Sequence, residues 1–316
     1  MSLKIDAAVY NHIGGRKNNE DNFYLNGLYM EREQMNRGGE FHKTYAGAVQ
    51  LYAVCDGMGG AEFGEEASRC TVQALKKYQE TCARPDGSQN LRQMLNETSK
   101  QVDGISLSRN MPSGASGSTI AMLIFNDWYF RAVHVGDSRI YRLRNGALER
   151  LTKDHSEVQR LVDSGQITPD QAWRHPRKNV ITRHLGMPLH GKPLESTISE
   201  RMELRPGDRY LICSDGLNDV VRDHEIEGML RGAGEASHVA SALVHEALSA
   251  ARALDVESDN ITAIVLDIRS VGRRESVVSR VKRLRTLQKL FAVLLAVFAG
   301  GAAWVSCDII RFLLKK

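Results

Sequence analysis

Five aspartates recur in one kind of setting along this 316-residue chain. Asp21, Asp56, Asp137, Asp215 and Asp259 each stand at the edge of a short apolar run, beside Gly, Ser or Asn. The clearest case is Leu51-Tyr52-Ala53-Val54-Cys55, a run that reads as a buried strand, ending at Asp56 with Gly57, Gly59 and Gly60 behind it. Glu20 adds a sixth carboxylate directly beside Asp21. Carboxylates gathered in low dielectric repel one another unless something positive compensates them. Two arrangements satisfy that constraint. Either the acids are dispersed as turn-capping residues, or they surround hard divalent cations. Neither Cys nor His occupies a comparable position, and an all-oxygen donor set suits Mg²⁺ or Mn²⁺ better than Zn²⁺.

The intervening residues predict the elements that must position these groups. Strands are expected over Ile5–Tyr10, Phe23–Leu25, Leu51–Cys55, Ile120–Phe125, Trp128–Val135, Ile140–Leu143, Arg209–Ser214 and Ile261–Ile268. Arg144-Asn145-Gly146 reads as a hairpin turn, so part of the sheet is antiparallel. Helical spacing of Ala67, Val72, Leu75 and Tyr78, then of Leu91, Met94, Leu95, Thr98, Val102 and Ile105, predicts two helices after Asp56. A third is predicted from Glu157 to Asp163, capped by Ser156, and a fourth over about Glu235–Leu254. Between Asp163 and Pro193, Gly165, Pro169, Pro176, Gly186 and Pro188 mark an irregular excursion of the sort that borders sites. Arg16 is near enough in sequence to pair with Glu20 or Asp21.

Composition excludes some classes of function. Of 42 Lys/Arg residues, ten lie beyond Ser270, where the only acids are Glu275 and Asp308, so the preceding 270 residues are net negative. The main domain therefore offers no general case for nucleic-acid binding. Five cysteines without a CxxC pair argue for a reducing compartment rather than a disulfide framework.

Arg16-Lys17-Asn18-Asn19-Glu20-Asp21, DGMGG (56–60), SGST (116–119), GDSR (136–139), LTKDHS (151–156), ITRHLG (181–186), CSDGL (213–217) and SDNIT (258–262) follow one another in an order that resembles the PP2C-type, metal-dependent serine/threonine protein phosphatases, in their bacterial form. The resemblance covers about residues 5 to 268. It implies an α+β fold, a four-layer α-β-β-α sandwich with a metal site at the sheet edge. By motif, Asp56 would bridge two ions, Mn²⁺ or Mg²⁺, and the Gly57 carbonyl would help hold one. Asp215 and Asp259 would ligate the first ion, Glu20 and Asp21 would serve the second, and Asp137 matches a third-metal position. Arg16 would hold the substrate phosphate. Phosphorylated proteins and a cognate Ser/Thr kinase are the implied partners. A silent binding module on the same scaffold, or a hydrolase of small phosphate esters, are the alternatives. Met58 departs from members that carry a histidine there as general acid, since a thioether donates no proton. His155, in the DHS motif, is a candidate for that donor but reads first as a hydrogen-bonded structural residue, and the other nine histidines are assigned no role.

Leu290 to Cys307 contains no charge, and eighteen helical residues span about 27 Å, close to a ~30 Å hydrocarbon core. Seven Lys/Arg between Arg273 and Lys289 predict a cytoplasmic N-terminal side. The expected organisation is thus a phosphatase domain over 1–270, a basic juxtamembrane linker over 271–289, a transmembrane helix over 290–310 and a short basic tail over 311–316. The expected location is the inner membrane of the cell, single-pass, with the catalytic domain in the cytoplasm.

Overall fold

Near-continuous burial along the central strands dictates a sandwich, because each sheet then has two apolar faces to cover. A computed structural model describes residues 2–59, 63–82 and 86–272. The linker, membrane-span and tail expected beyond Gly272 lie outside the described residues. Among the described residues no helix is long and apolar enough to cross a membrane.

The first four strands are β1 (Lys4–His12), β2 (Asp21–Leu25), β3 (Gly39–Ala46) and β4 (Val49–Met58), with a short helix α1 (Arg32–Met35) between β2 and β3. Helices α2 (Phe63–Thr81) and α3 (Ser88–Ser108) follow. Then come β5 (Gly117–Ser118), β6 (Ile120–Asn126), β7 (Tyr129–Val135), β8 (Arg139–Arg144) and β9 (Ala147–Arg150). The excursion holds α4 (Glu157–Asp163) and α5 (Pro169–Trp173), and leads through β10 (Thr197–Ile198) and β11 (Met202–Glu203) to β12 (Arg209–Cys213). The chain closes with α6 (Asp215–Asn218), α7 (Asp223–Arg231), α8 (Ala236–Ala253) and β13 (Ile261–Ser270).

One sheet has the order β3-β1-β13-β12-β8-β9; the other runs β10-β7-β6-β4-β2, with β11 added to β7 and β5 to β4. Every pairing is antiparallel. Three apolar layers hold the stack together. Between the sheets lie Ile5, Val9, Phe23, Tyr52, Val54, Phe125, Phe130, Tyr210, Ile212 and Ile264. Tyr210 packs edge-on against Phe125 and Phe130, with ring centroids 5.4 and 5.0 Å apart, contacts worth about 1 kcal/mol each beyond burial. Leu51, Ala53 and Cys55, on the opposite face of β4, pack under α2 and α3 through Val72, Leu75, Leu91 and Val102. Leu211, Cys213, Ala263 and Val265 pack under α8 through Val239, Leu243 and Ala247. The result is the predicted α-β-β-α sandwich.

The β8–β9 hairpin turns through Asn145 and Gly146, both at positive φ (53° and 76°), a pair whose twist matches that of the strands. One expectation needs correction. Strand β4 does not stop at Asp56 but continues to Met58, because Gly57 and Met58 pair with Ser118 and Gly117.

Candidate metal centre

Side chains on one face of a strand recur every second residue, so the layer between the sheets can be followed outward along each strand. On β4 the inward set is Tyr52, Val54 and then Asp56; on β2 it is Leu25, Phe23 and Asp21. On β1 it ends at Asn11, on β12 it passes Ile212 to reach Ser214, and on β13 it passes Ile264 to reach Thr262. At this end of the sandwich the core therefore changes from apolar to polar in a single step. Asp21 and Asp56 are directly opposed in the β2–β4 register. Two like charges placed face to face destabilise a sheet pair, so this pairing is costly unless another group offsets it.

Asp21 is fully buried. Its Oδ2 accepts hydrogen bonds from Ser214 Oγ at 2.6 Å and Thr262 Oγ1 at 2.7 Å. Its Oδ1 is buried with no hydrogen-bond partner, an orphaned carboxylate oxygen. Burial, above all, pushes its carboxyl up to about 7, against the two hydroxyl donors that favour the anion. Asp56 and Asp215 keep an edge open to solvent but are otherwise enclosed by protein. Burial raises both well above the ordinary carboxylate range, and Asp215 raises Asp56 further. Asp137 and Asp259 contribute to both shifts. Asp137 itself is pushed up to about 7 by burial and by Asp154 and Asp219. Glu20 is raised by burial, Asp259 and Glu65.

Asp259 makes a bidentate pair with Arg16, Nε to Oδ1 at 3.0 Å and Nη2 to Oδ2 at 2.8 Å. Arg16 thus pairs with neither Glu20 nor Asp21, its neighbours in sequence. Asn260 fixes the surrounding backbone: its Oδ1 accepts from Glu20 N–H, and its amide donates to the carbonyls of Ile13 and Asn18. Gly57 cannot carry a side chain, since a Cβ there would fall 1.9 Å from the Gly64 carbonyl oxygen. The same crowding brings the start of α2 against Glu20, whose carbonyl accepts the Gly57 N–H at 3.1 Å.

The six predicted acids and Gly57 accordingly line one rim. Among the described residues no three acids, histidines or cysteines are drawn into a closed metal-binding group. Asp259 is turned onto Arg16 and Asp21 onto two hydroxyls. The donor set nonetheless fits a hard cation: it is all oxygen, it carries an orphaned oxygen, and its charges raise one another for want of positive compensation. Sequence reasoning missed Asp219, which raises the carboxyls of both Asp137 and Asp215. Its spacing four residues beyond Asp215, one helical turn, was the available signal.

His155 is structural. Its Nδ1 accepts from Gly136 N–H at 3.1 Å, its Nε2 meets Thr197 Oγ1, and its ring stacks on His134 at 4.6 Å. Burial and His134 drive it down to about 3, so it stays neutral.

The protein phosphatase 2C model matches residues 31–231. The Mycobacterium tuberculosis serine/threonine protein phosphatase PstP is 36% identical over 232 residues, covering 73% of this chain and 43% of PstP. This chain thus spans less than half the length of that relative. The Listeria monocytogenes serine/threonine phosphatase stp is 33% identical over 232 residues, covering 72% of this chain and 88% of its own. The solved catalytic domain of PstP, in complex with 2 manganese ions, superposes with a TM-score of 0.66 at 32% identity, covering 85% of this chain and all of that one. On sequence and fold together, the chain belongs to the protein phosphatase 2C family.

Proposed function

We propose that this chain hydrolyses phosphoserine and phosphothreonine esters of proteins with two divalent cations, Mn²⁺ or Mg²⁺. The observation that carries the reading is the meeting of Asp21, Asp56 and Asp215 with Asp259 at one sheet end, where burial and like-charged neighbours leave the first three short of positive charge. Asp56, the Gly57 carbonyl, Asp215 and Asp259 would hold one cation; Asp56 with Glu20 and Asp21 would hold the other. Asp137, beside Asp215, suits a third. Bound there, such cations supply positive charge that acidifies water and offsets charge building on the phosphoryl oxygens. Arg16 lies at the mouth of the site with its side chain 48% exposed. Its guanidinium fork matches two phosphate oxygens as well as it matches the Asp259 carboxylate, so a substrate phosphate competes for it. The rigid Gly57–Glu20–Gly64 crowding holds the acids in place while that exchange occurs.

Phosphate release from a phosphothreonine peptide tests this directly. Turnover is expected with Mn²⁺ and is expected to vanish when EDTA removes the metal. Undiminished turnover after chelation would refute the reading, and turnover of small esters alone would restrict it to them.

The uncharged run from Leu290 to Cys307 and its basic N-terminal flank support a membrane tether with the catalytic domain in the cytoplasm, and family membership alone supports a Ser/Thr kinase as the opposing enzyme. Truncation after Ser270 is expected to move the protein from the membrane fraction to the supernatant. Membrane retention of the truncated chain would reject the tether.

A further inference from the structure

Serine and threonine alkoxides are poor leaving groups, so the ester oxygen needs a proton as its bond to phosphorus breaks. Met58 shares a strand face with Asp56 and has no proton to give. The space beside it is filled from a different part of the chain. Met58 pairs with Gly117. A Cβ built on Gly117 would lie 2.4 Å from His184 Nδ1 and 3.0 Å from both His184 Cε1 and Met58 Cγ. The imidazole therefore lies over Gly117, on the strand face that also carries Met58, in room that any residue but glycine would take.

Its backbone is fixed to the same sheet end. Leu185 N–H donates to the Ser118 carbonyl at 2.8 Å, Ser118 N–H donates to the Leu185 carbonyl at 3.1 Å, and Ser118 pairs in turn with Gly57. Thr119 N–H donates to the Asp56 carbonyl at 2.8 Å, so Asp56 and Gly117 are diagonal neighbours across the strand pair. Such neighbours lie about 7–8 Å apart, a gap that one phosphoryl group and its contacts span. His184 Nδ1 lies 2.9 Å from the Leu185 carbonyl oxygen. A carbonyl only accepts, so Nδ1 carries a hydrogen, and Nε2 is the nitrogen left to exchange a proton. Among the described residues this is the only hydrogen bond the ring makes.

We propose that His184 is the proton donor to the leaving oxygen, a role that rests on the phosphatase reading above. Water forms the new bond to phosphorus and loses a proton to solvent. The phosphorus–ester bond breaks, its electron pair goes to the ester oxygen, and that oxygen takes the proton from Nε2 of the imidazolium. The ring is left neutral, with Nδ1–H still on Leu185, and regains its proton from solvent.

Two substrates separate this role from a structural one: a phosphothreonine peptide, and p-nitrophenyl phosphate, whose phenolate leaves without protonation. His184→Gln keeps an amide donor for the Leu185 carbonyl. It is expected to lose about 10²-fold in kcat on the peptide and less than ~5-fold on the aryl ester. Equal losses on both substrates, or none on the peptide, would overturn the assignment and leave the phosphatase reading intact. A wild-type protein that turns over neither substrate with Mn²⁺ would overturn both. A ¹⁵N spectrum of the metal-free protein at pH 8 gives an independent readout: the His184 proton is expected on Nδ1, and a ring protonated only on Nε2 would overturn the assignment.

Discussion

Asp56→Asn is expected to lower metal-dependent release of phosphate from a phosphothreonine peptide by on the order of 10³-fold, while leaving the protein more stable without metal than the wild type. Both effects follow from one position. Asp56 faces Asp21 across the β2–β4 pair and is raised by burial and then by Asp215, Asp21, Asp137 and Asp259. Four other acids raise it and one of them faces it across the strand pair, which places it to be shared between two cations. Asparagine keeps the shape, and it leaves untouched the backbone bond from residue 56 N–H to Thr119 Oγ1 at 3.0 Å. What it removes is a charge that the metal-free fold holds at a cost. Stability bought back by neutralising an active-site acid is the usual trade between function and stability. Thermal melts in EDTA and initial rates with Mn²⁺ check the two halves. An Asp56→Asn enzyme as active as wild type would reject Asp56 as a shared ligand. A lower melting temperature in EDTA would reject the repulsion argument.

The parts of this molecule that were legible in its sequence are those in which one periodicity governs a whole element. Helices α2, α3 and α8 carry apolar residues on one face only, and Leu51 to Cys55 is apolar on both faces because helices cover one side of its sheet and the other sheet covers the second. Where burial is partial the signal fades. In β3 only alternate residues such as Phe41 and Tyr45 pack on the core, between charged and polar neighbours, and the strand was not foreseen. Helix α7 buries only Ile226 and Leu230 among nine residues, too few for a period to emerge. The acids of the site were legible as strand-edge residues, because each breaks an apolar run. Their mutual arrangement was not. It depends on β13 lying between β1 and β12, which brings Asp259 and Thr262 beside Arg16 on one side and Ser214 on the other, across separations of more than 40 residues. No local pattern encodes that neighbourhood. The same holds for His184, which reaches Met58 only through the bridge between Ser118 and Leu185.

The second large effect concerns pH. Asp21 and Asp137 are raised from 3.8 to about 7 in the folded chain, and Asp56 and Asp215 are also raised well above the ordinary carboxylate range. A group that binds its proton more tightly when folded contributes stability below its unfolded pKa, and that contribution is lost as pH rises through the folded value. His12, His134 and His155, all lowered by burial, act in the opposite sense, an effect that fades as pH rises past the unfolded histidine value of 6.5. Between pH 6.5 and 8.5 the acids therefore dominate. Each group near 7 costs about 1 kcal/mol across that window, and Asp56 and Asp215 act in the same direction, so metal-free stability should fall by roughly 2 kcal/mol. Divalent metal reverses the slope, since ligands must lose their protons to bind it and its stabilisation grows with pH. Urea titrations at pH 6.5, 7.5 and 8.5, in EDTA and in Mn²⁺, should give two trends of opposite sign. A metal-free stability that is level or rises across the window would mean that these carboxylates are not crowded in the folded state, and the argument for cations at this sheet end would lose its physical basis.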